Sequence, residues 1–177
     1  MRGVAVLPEN IVILLVEDRP DDVVLVQRAL AMAHVPNPLR VVTNGEEALA
    51  YLDGFGQYAD RTQYPMPDMI LLDLKMPKMD GFEVLRAVRN QPNLRAIRII
   101  VLTSSQDIFD IQKAYALGAA SFLVKPLDFE DYSSMMRTLS SFWFYAGRLP
   151  GVAPAPSPPT LPPTTSTPGG DSPVPNS

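Results

Sequence analysis

Short apolar runs alternate with amphipathic stretches between residues 11 and 145 of this chain. Each run is rich in Ile, Leu and Val and is bounded by charged or turn-forming residues. This pattern is typical of strands that are buried on both faces of a parallel sheet. The five predicted strands are Ile11–Val16, Leu39–Thr43, Asp68–Asp73, Ile97–Leu102 and Ser121–Val124.

Between these strands, apolar residues recur at the three- and four-residue spacing of helices that pack one face against a core. Asn44 and Glu47 have the spacing of a capping box at the start of the second helix. Strands that alternate with helices predict an α/β fold with a parallel sheet and right-handed crossovers. The five predicted helices are Val23–Ala33, Asn44–Leu52, Phe82–Asn90, Asp107–Leu117 and Asp128–Tyr145.

Three further segments complete the predicted organisation. Residues 1–10 are a lead-in to the domain at 11–145, and Gly54–Pro67 is a polar connection of unusual length, either functional or mobile. Ten prolines among Ser, Thr and Gly in Ala146–Ser177 predict a disordered tail with too little apolar surface to fold. No second folded domain is predicted after the first, so we expect the output to pass through a partner or through dimerisation.

Composition narrows the function classes. The 177 residues contain no cysteine, which excludes disulfides, thiolate zinc sites and cysteine nucleophiles. A net charge of −4 argues against nucleic acid as a direct partner, because phosphate binding requires a basic face. The start of the chain does not resemble a secretory signal, and no apolar run approaches the length of a membrane span. We therefore expect a soluble, cytoplasmic protein.

Chemically competent side chains follow four of the predicted strands. Glu17 and Asp18 follow the first, Asp73 ends the third, Thr103 follows the fourth and Lys125 follows the fifth. The carboxyl ends of parallel strands meet at one edge of the sheet, so these side chains are expected to converge there. Three neighbouring carboxylates require a cation, and Mg²⁺ with oxygen ligands suits them. With a lysine and a hydroxyl added, the set predicts phosphoryl-transfer chemistry.

Four motifs carry a specific resemblance: Leu15–Asp18, Asp73–Gly81, Thr103–Ser104 and Phe122–Pro126. In this order and at these strand ends, they resemble the receiver domain of two-component response regulators. The resemblance spans Ile11–Tyr145 and implies a flavodoxin-like (βα)5 doubly wound parallel sheet with the strand order 2-1-3-4-5.

The resemblance implies that Asp73 accepts a phosphoryl group from a sensor histidine kinase. It assigns Mg²⁺ to Glu17, Asp18, Asp73 and the backbone carbonyl of Lys75. Lys75 would also face the water that removes the phosphoryl group. Such a protein catalyses its own phosphorylation and slow dephosphorylation and is not a classical enzyme.

Further roles follow from the same resemblance. Thr103 and Lys125 would each bind a phosphoryl oxygen, and Phe122 would be the switch aromatic that moves as Thr103 does. The Lys125–Pro126 peptide bond would be cis, which only a prolyl bond adopts at modest cost. Ser105 would influence the phosphate lifetime.

A narrower resemblance is to the small stand-alone regulators that are paired with bacterial phytochrome kinases. It rests on the Glu-Asp pair, on the long connection Gly54–Pro67 and on aromatic residues before Leu149-Pro150. It implies a phytochrome kinase as partner and a homodimer formed through the fourth helix, fifth strand and fifth helix. Exposed aromatic clusters mark interfaces. The aromatic cluster consists of Phe142, Trp143, Phe144 and Tyr145.

Three other functions are alternatives to a phosphorylated receiver domain. A receiver-like interaction module that is never phosphorylated would be marked by loss of the acidic pair, the acceptor or the lysine, and all of these are present. An aspartyl-phosphate phosphatase would have a second aspartate two residues after Asp73, where this chain has Lys75. A flavin- or nucleotide-binding protein would have a glycine-rich loop after the first strand, where this chain is acidic and lacks glycine.

Overall fold

The computed structural model describes residues 11–35 and 37–146, with side chains described up to Ser141. Five parallel strands form one sheet in the order β2-β1-β3-β4-β5, which confirms the predicted fold class and strand order. The strands are β1 Ile13–Val16, β2 Leu39–Val42, β3 Met69–Leu72, β4 Arg98–Thr103 and β5 Ser121–Val124.

All five predicted helices are present, and their ends lie within three residues of the predicted ends. The largest difference is in the first helix, which begins at Pro20 rather than Val23 because proline is tolerated at the first helical position. Short 3₁₀ turns occur at Gly56–Tyr58 and Pro92–Leu94. The helices are α1 Pro20–Met32, α2 Gly45–Asp53, α3 Gly81–Asn90, α4 Ile108–Ala116 and α5 Phe129–Ala146.

The helices cover both faces of the sheet, which is why the central strands lack a polar alternation. Successive residues of a strand point to opposite faces. Leu14 and Val16 pack with residues of α2, α3 and α4, whereas Ile13 and Leu15 pack with residues of α1 and α5. Every residue of β1 and β3 is buried. The two faces therefore form two core layers, and the ends of the strands are left for the site.

The long connection Gly54–Pro67 is packed against the domain. The rings of Tyr51, Tyr58 and Tyr64 form a cluster with centroids 5.1–5.9 Å apart. The guanidinium of Arg61 lies 2.7 Å from each of two carbonyl oxygens at the end of α2. These contacts stabilise the connection as part of the structure.

The hydrogen bonds at the starts of α2 and α3 differ from the predicted capping. The Asn44 side chain accepts from the backbone N–H of Glu47 at 2.9 Å, but the Glu47 carboxylate binds Thr43 instead of returning to Asn44. The predicted box is therefore only half formed. A complete capping box joins Asp80 and Glu83 at the start of α3, with both hydrogen bonds at 2.9 Å.

Some predictions lie outside the described residues. These are the lead-in at residues 1–10, the tail from residue 147 onward and the side chains of Phe142–Tyr145, whose backbone belongs to α5. Within the part that is described, no helix is long and apolar enough to cross a bilayer.

Candidate functional site

The strand ends meet as the sequence predicts. The backbone N–H of Asp73 donates to the carbonyl of Val16 at 3.1 Å, which places the third strand end beside the first. The N–H of Lys125 donates to the carbonyl of Thr103 at 2.8 Å, which joins the fourth and fifth. Five parallel strands thus bring side chains from distant parts of the sequence to one rim.

Lys125 is the centre of the charge network at this rim. Its ammonium nitrogen lies 2.5 Å from Glu17 Oε2, 2.8 Å from Asp22 Oδ2 and 3.2 Å from Asp73 Oδ2. Burial by itself lowers the pKa of Lys125. The hydrogen bonds to Asp22 and Glu17 and the charge of Asp73 outweigh that effect, so its pKa lies above the ordinary value. The ammonium is therefore charged throughout the physiological pH range.

Glu17 is the most deeply buried carboxylate of the rim, with 1% of its surface exposed. Burial raises its pKa, as does the charge of Asp73, while the hydrogen bond and charge of Lys125 oppose the rise. Its second oxygen accepts from the N–H of Arg19 at 3.1 Å. The pKa of Glu17 therefore lies above its ordinary value, with burial as the main cause.

The carboxylates fit a divalent cation. One oxygen from each of Glu17, Asp18 and Asp73 lies within 4.8 Å of the others. Asp18 Oδ1 is buried and has no hydrogen-bond partner among the described residues. A buried carboxylate oxygen without a partner is costly, and a hard cation would satisfy it. The N–H of Lys75 donates to Asp73 Oδ1 at 3.3 Å, while a ligand role for its carbonyl stays a prediction.

The loop after Asp73 is shaped by a close backbone contact. A Cβ at Gly81 would overlap the carbonyl oxygen of Asp73 and would lie 2.7 Å from the Cα of Leu74. Gly81 also donates its N–H to the carbonyl of Leu74 at 3.0 Å. Lys78, in the middle of the loop, has φ +66°. The loop therefore requires glycine at its end and holds a lysine in the left-handed region.

Thr103 and Phe122 lie on the neighbouring strands β4 and β5, and their role as a switch stays a prediction. Thr103 is fully buried, and its hydroxyl accepts from the N–H of Ser105 at 3.4 Å. Phe122 is half-buried, and its N–H donates to the hydroxyl of Tyr115 in α4. The Ser105 hydroxyl donates to Asp110 of α4 at 2.5 Å rather than being free for water. The segment after β4 is thereby tied to α4.

Two acidic contacts were missed by sequence reasoning. The notable one is Asp22, which lies 2.8 Å from the Lys125 ammonium. The other is Asp110, which binds Ser105. Both residues lie in the first turn of a helix that starts at the rim. An acid in that turn can reach back toward the strand ends, and this spacing was the available signal.

The predicted cis bond between Lys125 and Pro126 is wrong, since no peptide bond among the described residues is cis. The trans isomer is the lower-energy form of a prolyl bond. With that isomer the Lys125 ammonium already reaches all three carboxylates.

Comparison with known proteins agrees with this fold. A family model described as the response regulator receiver domain matches residues 13–137, and the chain belongs to this family. Response regulator Rcp1 of Synechocystis sp. is 37% identical over 141 residues, which cover 80% of this chain and 94% of Rcp1.

Solved structures show the same similarity. The phosphorylated cyanobacterial phytochrome response regulator RcpA matches with a TM-score of 0.73 and 37% identity, covering 80% of this chain and 99% of RcpA. The Mn²⁺-bound form of Rcp1 matches with a TM-score of 0.70 and 37% identity, covering 79% and 99%. The chain is therefore a receiver-domain protein similar to phytochrome response regulators.

Proposed function

We propose that this protein accepts a phosphoryl group on Asp73 from a phosphohistidine of a sensor kinase, with Mg²⁺ as cofactor. One observation supports this most strongly. The carboxylate of Asp73 is almost completely buried, lies 3.2 Å from the Lys125 ammonium and shares a cation-sized cluster with Glu17 and Asp18. The similarity to phytochrome response regulators favours a phytochrome kinase as the donor.

The reaction is a displacement at phosphorus. A carboxylate oxygen of Asp73 forms the new P–O bond, the P–N bond breaks, and the imidazole nitrogen keeps the electron pair. Glu17, Asp18 and Asp73 would hold Mg²⁺, which would neutralise charge on the phosphoryl oxygens. Lys125 donates to one phosphoryl oxygen and the Thr103 hydroxyl to another. Slow attack of water on phosphorus then breaks the P–O bond to Asp73, which restores the carboxylate and releases inorganic phosphate.

Intact mass measurement after incubation with acetyl phosphate tests this proposal. We expect a mass increase of one phosphoryl group with Mg²⁺ and none with EDTA. Asp73→Asn should abolish the increase. Asp68→Asn, at the opposite end of the same strand, should retain it because Asp68 lies outside the cluster. An adduct that persists in Asp73→Asn contradicts the assignment. No adduct from acetyl phosphate or from a phosphorylated kinase favours a non-phosphorylated interaction module.

Phosphorylation would be read out at the surface formed by α4, β5 and α5. Thr103 and Phe122 connect the rim to this surface. On α4, Phe109 is 73% exposed and Ile108 is 56% exposed, which is unusual for side chains of this size. We propose that a second copy of the chain covers them. With a net charge of −4, a protein partner is favoured over nucleic acid.

Light scattering with and without beryllofluoride and Mg²⁺ tests the dimer. We expect the phosphoryl analogue to increase the dimer fraction and Phe109→Asp to abolish the increase. Val24→Asp is the matched control, because Val24 is also an exposed apolar residue, at 50%, but lies on α1. If both variants lost the increase in dimer fraction equally, a dimer through α4 would be contradicted.

A further inference from the structure

Asp22 is a fourth carboxylate at the rim and lies outside the cation cluster. It is in the first turn of α1, and its side chain is 15% exposed. It lies closer to the Lys125 ammonium, at 2.8 Å, than Asp73 does at 3.2 Å. The cluster that fits a divalent cation consists of Glu17, Asp18 and Asp73 only. Asp22 therefore holds the lysine without belonging to the metal ligands.

Binding of a dication changes the surroundings of Lys125. Glu17 and Asp73 supply two of its three anionic contacts, and both carboxylates would then share their charge with the metal. A dication also repels an ammonium nearby. Only 9% of the Lys125 side chain is exposed, so water has little access to replace the lost partners. Without another anion beside it, the ammonium would move away from the rim and could not bind a phosphoryl oxygen there.

We propose that Asp22 is a positioning residue that retains the Lys125 ammonium at the rim when a divalent cation and then a phosphoryl group occupy the site. One N–H of the ammonium stays on Asp22, which leaves its other donors free for a phosphoryl oxygen. The phosphoryl part of this inference rests on the proposed function, while retention against the cation does not.

The packing of α1 against α5 gives Asp22 a fixed place from which to act. Asp22 lies on α1, and Lys125 lies in the turn that leads into α5. The guanidinium of Arg28 in α1 lies 4.9 Å from the ring centre of Phe129 at the start of α5. The distance between the helix carrying the anion and the turn carrying the cation is thereby set by packing.

Asp22→Ala and Asp21→Ala form a matched pair for the test. Both remove a carboxylate from the first turn of α1, so both lose the same favourable interaction with the helix dipole. Asp21 is exposed and makes no contact with Lys125 among the contacts of its ammonium described above. Asp22→Glu keeps the charge and should restore the function, and Asp22→Asn keeps the shape without the charge.

The first readout is the ¹⁵N-edited NMR signal of the lysine ammonium groups, recorded with Mg²⁺ alone. The other lysines, Lys75, Lys78 and Lys113, are exposed, so a slowly exchanging signal identifies Lys125. We expect Mg²⁺ to leave this signal in the wild type, Asp21→Ala and Asp22→Glu, and to remove it in Asp22→Ala. Retention of the signal in Asp22→Ala, or in Asp22→Asn should Asp22→Ala not fold, would overturn the proposal.

The second readout is the rate of phosphorylation by acetyl phosphate at saturating Mg²⁺. Loss of one charge-assisted hydrogen bond predicts a decrease of about tenfold in Asp22→Ala relative to Asp21→Ala. Rates within about twofold of each other would overturn the positioning role, since that difference is smaller than one such bond. If the wild type accepts no phosphoryl group at all, the proposed function fails, and the NMR measurement still decides the role of Asp22.

Discussion

Two partly buried cations of this protein, Lys125 and Arg89, are bound in opposite ways. The Lys125 ammonium contacts three carboxylates at the rim. The Arg89 guanidinium donates to backbone carbonyls: twice to Gly118 at 2.9 and 3.1 Å, once to Arg95 at 2.9 Å and once to Ile97 at 3.0 Å. The partners also set the pKa directions. Burial lowers the pKa of Arg89, whereas the carboxylates raise that of Lys125.

The two kinds of partner differ in whether they can bind something else. Carboxylates can bind a metal ion or a phosphoryl group, and backbone carbonyls at the end of a helix keep the same partner. A carboxylate can exchange its ammonium partner for a metal ion or lose its charge to a phosphoryl group, so the contacts of Lys125 depend on what occupies the site. A backbone carbonyl has no such alternative partner at the end of α3. Arg89 therefore joins α3 to the turns before β4 and β5 through groups that bind no metal, whereas the proposed binding of a cation and a phosphoryl group would change the contacts of Lys125.

The largest expected effect comes from Lys125→Met. Removing the cation leaves three carboxylates without compensation, and breaking such a buried pair costs about 3 kcal/mol of unfolding free energy. We expect this loss in EDTA and a substantial recovery with excess Mg²⁺, because binding to the native state stabilises it. Chemical denaturation in the two buffers measures both values.

Lys75→Met is the control for Lys125→Met. The Lys75 side chain is exposed, and its backbone contact with Asp73 is independent of the side chain. Its stability should stay close to that of the wild type in both buffers. A loss of stability in Lys125→Met that is identical with and without Mg²⁺ would show that a cation at the rim does not compensate for the missing ammonium.

A smaller effect, independent of metal, is expected from Arg89→Met. Loss of the hydrogen bonds to three carbonyls should lower the unfolding free energy by about 2 kcal/mol, equally in EDTA and in Mg²⁺. The rate of phosphorylation should stay unchanged, because Arg89 does not reach the rim. Arg86→Met, on the exposed side of the same helix, should have little effect on stability. If the loss of unfolding free energy in Arg89→Met depended on Mg²⁺, Arg89 and Lys125 would not differ in their response to the metal.

The smallest effects are expected at two residues with positive φ, one in the loop at the rim and one beside Arg89. At the rim, Lys78 has φ +66°, so Lys78→Gly should stabilise the protein by about 0.5 kcal/mol. Beside Arg89, Gly118 has φ +92°, and an added Cβ would lie 2.8 Å from Arg89 Nε. Gly118→Ala should therefore cost about 1 kcal/mol or more. Thermal unfolding of both variants measures these shifts, and the same sign in both would contradict the assignment of strain.

Much of the fold could be predicted because its signals are local. Unbroken apolar runs such as Met69–Leu72 indicate strands covered on both faces, and the structure buries every residue of that run. Glycine at position 81 follows from a backbone contact within the same loop. The rim residues Asp73 and Lys125 could be placed because each directly follows a strand, and parallel strands end on the same side.

The sequence by itself thus determined the α/β class, the sheet elements and the residues at the rim. Only the tertiary structure decided which side chains contact one another at the rim. Asp22 and Lys125 are 103 positions apart, and a periodic pattern indicates which face of α1 is buried without indicating which side chain it meets. The same holds for the packing of Gly54–Pro67 by Arg61. Each depends on contacts that exist only after separate segments pack together.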